Sequence, residues 1–509
     1  MNEGLHVHAQ KAQDSERWHP GVHFLLWAVP AGIAILAGLL HGTFFIDDAY
    51  ITFRYAENLA AGHGLVFNPG ETVLGTTTPL FAMVLAGLEM LGLSVPTSAH
   101  LLGLFSMAGV VLLLQAFACR SVSLPVAAAM GLCVALHPDT AYMATSGMET
   151  APSLALVLGG LFLSLKGRWA WAGGVGGAAL LIRPDGVLVV ALAVGLALLR
   201  DRKSFWQPLM TSGFVVLPWF LYATVVYGSP LPHSVQAKRM IHPAEVSEIL
   251  SGYLGVLTEG LSLTVLFALG GLGVLFAMVR RSELLLLALW MLAYIGSLGM
   301  SGIAPQFPWY ATPLTVTCVL FAAYGADQGV ALLLDRVGPA RAPSWLRATA
   351  TSMVLILIAV GGLASVNWAS LRTDLENRES AYLEIGQWIA ERAETGDVVF
   401  VGEVGVLGYL LLDQVVIDSS GINSAEVFAI RRAELAALRE NTPEGSISPE
   451  GTWRWPKQVI DELKPKYIVT KYPWLHIGKL EDSASFQTQY TRVGPDNPML
   501  LEYRVYEVR

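Results

Sequence analysis

A polytopic α-helical membrane protein that ends in a separate α/β domain is the fold class this sequence predicts. Three observations carry that expectation. Apolar runs recur from residue 23 onward and are continuous rather than alternating, which suits membrane helices and not the strands of a barrel. Only 14% of the residues are charged and 54% are hydrophobic, with a mean hydropathy of +0.52; a soluble chain carries about 25% charged residues. Composition then changes near residue 370. The segment 371–509 holds 15 Lys and Arg against 22 Asp and Glu, leaving 17 and 18 for the rest, so the net charge of -8 resides largely in this tail. No basic patch suggests nucleic acid as a partner.

Residues 1–22 are polar and read as a cytoplasmic leader. The run from His23 to Phe45 is too long for a signal-peptide core and lacks a small-residue cleavage site, so it is an uncleaved anchor. Next comes Phe45–Pro79, FIDDAYITFRYAENLAAGHGLVFNPGETVLGTTTP. It opens with Asp47 and Asp48 at the end of the apolar run, where carboxylates are costly. Gly62, Gly64, Asn68, Pro69 and Gly70 then supply turn chemistry, and 46–77 reads as the first external loop. Further apolar runs lie at 78–93, 98–119, 121–137, 150–165, 169–182, 186–200, 206–227, 252–279, 282–300, 309–334 and 348–367. Several fall short of the roughly 20 residues of a straight span. Short helices broken by Gly or Pro at membrane depth line cavities.

Basic residues orient the spans. Lys166 with Arg168, Arg200 with Arg202 and Lys203, Arg280 with Arg281, and Arg336 with Arg341 mark the cytoplasmic side. The loops 138–149, 183–185, 228–250 and 301–308, and the tail, then fall outside. A cytoplasmic start and an external end require an odd number of spans. About 11 are expected, within a range of 11 to 13. Either one segment of 78–137 fails to cross or the run 250–279 is split. The domains are thus 1–22, a membrane unit 23–370, and an extracytoplasmic α/β domain 371–509.

In the tail, helices are expected at 381–394 and near 424–440. VVFVGEVGVLGYLL within 397–412, DQVVIDSSG and KPKYIVTKY read as strands. The GEVG stretch lacks GxGxxG and implies no dinucleotide site. Cys119, Cys133 and Cys318 lie in apolar segments and behave as small hydrophobes.

On the side assigned to the exterior, polar residues gather from five places. They are Asp47, Asp48 and Arg54; Ser146 and Glu149 in TSGMET; Arg183 and Asp185 in IRPDG; His233, Gln236, Lys238 and Arg239 in YGSPLPHSVQAKR; and Gln306, Trp309 and Tyr310 in PQFPWY. Together they suggest one cleft that binds an anionic head group and keeps a carboxylate available as a base. Each has a plainer reading. Arg183 and Asp185 also suit a structural ion pair at a helix break. Glu149 also suits a helix start. His233 and Lys238 also suit ordinary loop positions, and Trp309 and Tyr310 an interfacial aromatic belt.

The first loop, with SGMETA, LIRPDG and YGSPLPHSVQAK following in order, resembles the GT-C superfamily of membrane glycosyltransferases. Within it the chain is similar to the branch of the terminal arabinofuranosyltransferases of mycobacterial arabinan. The resemblance covers roughly residues 23–310. It implies a GT-C-like membrane domain in the plasma (inner) membrane and an inverting transferase. The donor would be a polyprenyl-phosphate-linked sugar, with arabinofuranose as one candidate. The acceptor would be an extracytoplasmic glycan, protein or lipid. Asp47 is implied as general base with Asp48 supporting it. Arg54, Arg183, Lys238 and His233 would serve the donor phosphate, and Glu149, Asp185 and Tyr310 would position substrate. Loop carboxylates are compatible with a divalent metal, though no spacing demands one. The alternative is a transporter or flippase of a lipid-linked anionic substrate. It would place charges at mid-membrane and show two-sided access.

Overall fold

The computed structural model describes all residues except 1–18, 242, 259, 304–306, 338–342, 366–367, 442–453, 473, 498–499 and 501. The first eighteen residues of the expected leader, and Gln306, therefore lie outside the described residues.

The run expected to be an anchor is helix α1, Pro20–His41, with Pro20 at its first turn and Gly42 at positive φ at its end. The first loop folds into α2, Asp47–Ala60, whose two acids occupy the first turn, where the helix dipole favours them. Then follow α3 (Pro79–Met90), α4 (Val95–Ala118), α5 (Leu124–Leu136) and α6 (Pro138–Thr145). The last two are bent by 61°, at a Pro that cannot continue the preceding helix. Next are α7 (Thr150–Leu165), α8 (Trp169–Ile182), α9 (Val187–Arg200) and α10 (Trp206–Tyr227). The short α11 (His233–Ile241) lies outside the apolar runs, and α12 (Val246–Leu257), α13 (Gly260–Arg280), α14 (Leu285–Ser301), α15 (Thr312–Val337) and α16 (Ser344–Ser365) complete the bundle.

Six described helices are long and apolar enough to cross a membrane, or seven if α5 and α6 form one bent span; five shorter apolar helices accompany them. Of the two alternatives for the span count, the structure shows a split of the later run, while the number of crossings is not decided by helix length alone. The second apolar run is only the twelve-residue α3, and the run 250–279 is divided between α12 and α13. Small residues let the helices approach. A Cβ at Gly273 of α13 would collide with the Phe321 carbonyl of α15, and one at Gly103 of α4 with that of Ala144. At the end of the bundle away from the tail, Glu283 joins Arg120 and Arg200, and Asp327 joins Arg347.

The tail begins with α17, Trp368–Ala390, longer than the helix expected at 381–394. A five-stranded mixed sheet follows, in the order β2-β1-β3-β5-β4, from β1 (Val398–Val401), β2 (Val415–Asp418), β3 (Tyr467–Lys471), β4 (Tyr490–Val493) and β5 (Tyr503–Val508). β1 runs parallel to β2 and β3, with Val399 opposite Val416 and Tyr467; β5 is antiparallel to β3 and β4. The helix expected near 424–440 is α19, Ala425–Asn441. One expectation fails. The run 397–412 is a strand only over β1, and the chain then turns into a six-residue helix, α18, Gly405–Leu410. The physical reason is remote in sequence. The first N–H groups of α18 are satisfied by the carboxylate of Asp47, so a helix start replaces ladder bonds.

The tail packs on the first loop through a buried seam. Arg54 is fully buried and donates to the carbonyls of Phe67 (2.6 Å), Leu411 (2.7 Å), Gln414 (2.9 Å) and Gly408, and to Asn68 Oδ1 (2.9 Å). Asn68 in turn donates to the Val416 carbonyl at 2.9 Å. Tyr55 donates to Asn423, and Tyr409 donates to Glu57.

A candidate active site between the membrane unit and the tail

Two groups of side chains meet at the tail end of the bundle. The first is cationic. Arg183 stands where α8 stops, followed by a short 3-10 turn over Pro184–Gly186. Its Nε donates to Asp185 at 3.0 Å and its Nη1 to Glu149 at 3.3 Å. The guanidinium lies 4.8 Å from the centre of the Tyr310 ring, and the Tyr294 hydroxyl holds the Tyr310 carbonyl at 3.0 Å. Lys238 of α11 donates to Asp48 at 3.3 Å and lies 4.9 Å from the centre of the Phe307 ring. Burial alone would lower the Lys238 ammonium, but Asp48, Tyr310 and Glu149 together raise it, so it stays cationic. Glu149 is pushed upward by burial, against the opposing pull of Arg183.

The second group is acidic. Asp47 is only 7% exposed. Its two carboxylate oxygens accept the backbone N–H groups of Gly405 (3.0 Å) and Val406 (2.9 Å). Gly is required at 405, because an added Cβ would strike the Asp47 backbone carbonyl. Burial, then Glu403, then Asp48 push the Asp47 carboxyl up to about 8, against the two N–H bonds. Arg378 of α17 donates to Glu379 at 2.6 Å and stands 3.7 Å from Glu403. The Tyr382 hydroxyl faces Glu403. Asp48 joins the two groups, since it carries Lys238 and also acts on Asp47 and Glu403.

The structure thus brings together Asp47, Asp48, Glu149, Arg183, Asp185, Lys238 and Tyr310. Two residues expected among the phosphate contacts are elsewhere. Arg54 does not join the cationic group, because its donors are taken by the carbonyls of the tail seam. His233 packs its ring edge against Phe428 at 4.5 Å, while its backbone N–H donates to the Leu74 carbonyl. Trp309 is buried beside Phe307 rather than lying in an exposed belt. Among the described residues no group of three His, Cys, Asp or Glu side chains is arranged to hold a metal ion. The residues missed from sequence are Glu403, Gly405, Arg378 and Tyr382. Their one visible signal was the glycine-flanked acid in VGEVG, which carries no mark of a partner more than 350 residues away.

Residues 369–506 match a family described as a domain of unknown function (DUF8728). The chain is 26% identical over 249 residues to a terminal β-(1→2)-arabinofuranosyltransferase of Mycobacterium tuberculosis, a match covering 43% of this chain. It spans 39% of the length of that curated relative. Solved structures share the architecture over nearly the whole chain. ArnT from Cupriavidus metallidurans bound to undecaprenyl phosphate has a TM-score of 0.59 at 13% identity, covering 96% of this chain and 98% of that one. The oligosaccharyltransferase AglB from Archaeoglobus fulgidus, in complex with an inhibitory peptide and a dolichol-phosphate, has a TM-score of 0.58 at 12% identity, covering 88% and 69%. The chain has the GT-C fold, and it is a multi-pass membrane protein.

Proposed function

We propose that this protein is an inverting glycosyltransferase that moves a sugar from a polyprenyl-phosphate donor to an acceptor hydroxyl. The single observation that carries this is the meeting, at one end of the bundle, of a buried carboxylate with a cationic pair. Asp47 lies on one side, and Arg183 with Lys238 on the other. The undecaprenyl phosphate bound to ArnT and the dolichol-phosphate bound to AglB support the donor class.

In the proposed step, Asp47 takes the proton of the acceptor hydroxyl as the oxygen forms its bond to the anomeric carbon. The bond from that carbon to the phosphate oxygen breaks, and its electron pair leaves with the phosphate. Each Asp47 oxygen accepts one backbone N–H and retains a second lone pair for the hydroxyl proton. The leaving phosphate needs charge stabilisation more than proton transfer. Arg183 Nη2 makes no protein hydrogen bond among the described residues. Lys238 is held by the partly exposed Asp48, which a phosphate would displace. No step in this scheme calls on a metal.

The basic-residue bias favours an extracytoplasmic cleft and tail in the plasma membrane. Ala433 is exposed on α19, so an Ala433→Cys protein in intact cells is expected to react with an impermeant thiol reagent. Labelling confined to lysed cells reverses the orientation. For the activity, purified protein is incubated with radiolabelled polyprenyl-phosphate sugars, arabinofuranose among them, and with glycan, protein and lipid acceptors. Transfer that is lost in Asp47→Asn is the expected result. Absence of transfer from every such donor removes the proposal.

A further inference from the structure

The tail contributes more than a cover to the acidic side of the cleft. β1 ends at Val401, and the chain turns through Gly402, Glu403 and Val404 before α18 begins. That turn is pinned on both sides. The Gly402 N–H donates to the Val469 carbonyl at 2.8 Å, and Ser419 Oγ donates to the Gly402 carbonyl at 2.9 Å. Two residues beyond Glu403, the backbone grips Asp47. The backbone that carries Glu403 is therefore fixed relative to the groups that hold the carboxylate. The Tyr382 hydroxyl of α17 faces the Glu403 carboxylate as a hydrogen-bonding neighbour, while Oε2 of the neighbouring Glu379 is buried with no hydrogen-bond partner among the described residues. One guanidinium, Arg378, serves both acids and sits closer to Glu379. Gathering two acids around one guanidinium in a buried place is costly.

We propose that Glu403, supplied by the tail domain, is a positioning residue for Asp47, placed so that its negative charge strengthens Asp47 as the base of the transfer. The inference rests on the reading of the cleft given above. The physical case is an opposition of two effects. Two backbone N–H bonds to Asp47 favour its ionised form and would by themselves leave it a weak base. A fixed negative charge facing it works in the other direction, because two carboxylates at close range resist ionising together. Glu403 is the charged group acting most strongly on Asp47, ahead of Asp48. The other groups around Asp47 are Tyr50 on its own helix, and Arg378 and Tyr382 from α17; Lys238 from α11 acts through Asp48. Arg378 is shared between two acids, so it offsets the field of Glu403 only in part.

The test uses the full-length protein in lipid nanodiscs and compares wild type with Glu403→Gln, Glu403→Ser and Glu403→Asp. Two quantities are read: the pH profile of kcat/KM for sugar transfer, and an infrared titration of the protonated carboxyl band that disappears in Asp47→Asn. As a base, Asp47 must be ionised, so wild-type activity climbs with pH through a midpoint near 8. Removing a like charge favours ionisation. In Glu403→Gln the midpoint is expected at lower pH, with a plateau rate roughly tenfold below wild type, since a weaker base gives less assistance. Glu403→Ser serves where the Gln protein does not fold, and Glu403→Asp is expected to restore both quantities. A midpoint that stays in place when the charge is removed overturns the proposal, whether or not the rate falls. If wild type transfers no sugar from any donor, the functional reading fails separately. The infrared titration then still decides whether Glu403 acts on Asp47.

Discussion

The two sides of the cleft are built differently. The cationic side is assembled within the membrane unit. Arg183, Lys238, Glu149, Asp185 and Tyr310 come from helix ends and turns between residues 149 and 310. Each cation there already has an acidic partner on a nearby segment. The acidic side is unfinished without the tail. Asp47 has its hydrogen-bond donors, its strongest charged neighbour and its covering surface from residues 378–406. The difference teaches that the cationic side depends on how the bundle breaks its helices, whereas the base depends on a domain docking from the far end of the chain.

The sharpest way to break that division is at Asp47. Asp47→Asn keeps the size of the side chain but accepts no proton. Turnover is expected to fall by roughly 10²–10⁴-fold, while donor binding, a property of the other side, persists in a binding assay with labelled donor. Equal loss of donor affinity would erase the distinction between the sides.

The docking seam is next. Arg54→Ala leaves four carbonyls and the Asn68 amide oxygen without their buried donor. Destabilisation of about 3 kcal/mol or more is expected, read as a lower Tm and faster proteolysis between the first loop and the tail. Donor affinity at the cationic side should hold where the protein remains folded. A second disturbance at the same place is Gly405→Ala, whose new Cβ would strike the Asp47 backbone carbonyl and crowd its carboxyl carbon. Overpacking of this kind costs about 1–3 kcal/mol, and turnover should suffer more than donor binding.

The cationic side is tested by Arg183→Gln with Lys238→Gln. Charge-assisted hydrogen bonds contribute about 1.5–3 kcal/mol each, so donor affinity should drop at least about tenfold. Donor affinity that is unchanged in a folded double variant would take both residues out of the site.

A separate effect is in the stability profile. Burial and Glu403 raise the folded Asp47 carboxyl from an ordinary value of 3.8 to about 8. The folded state therefore holds this proton more tightly than the unfolded chain. The resulting stabilisation is fully present below the unfolded value and is lost as pH rises towards 8. Asp47→Asn removes that loss, so its Tm relative to wild type should improve between acidic and mildly alkaline pH. A Tm difference that is flat with pH would mean Asp47 is not so perturbed.

Much of this was readable in the chain. Apolar continuity located nearly every bundle helix, because a span must hide its backbone within itself and so shows in composition alone. The clustering of Asp47, Glu149, Arg183, Asp185 and Lys238 followed from placing segment ends on one side. Arg54 was misjudged for a physical reason. An arginine in a loop looks the same in sequence whether it meets a phosphate or five protein oxygens, and only docking shows which. VVFVGEVGVLGYLL was misread because its hydrophobicity fits a buried strand as well as a buried helix.

The sequence by itself determined the membrane-embedded helical class and the presence of a sheet-containing tail, both properties of local composition. Only the tertiary structure decided that α18 starts on Asp47, that Arg54 locks the seam and that Glu403 faces the base. Each of these depends on groups separated by more than 340 residues, whose pairing leaves no periodic or compositional trace in either segment.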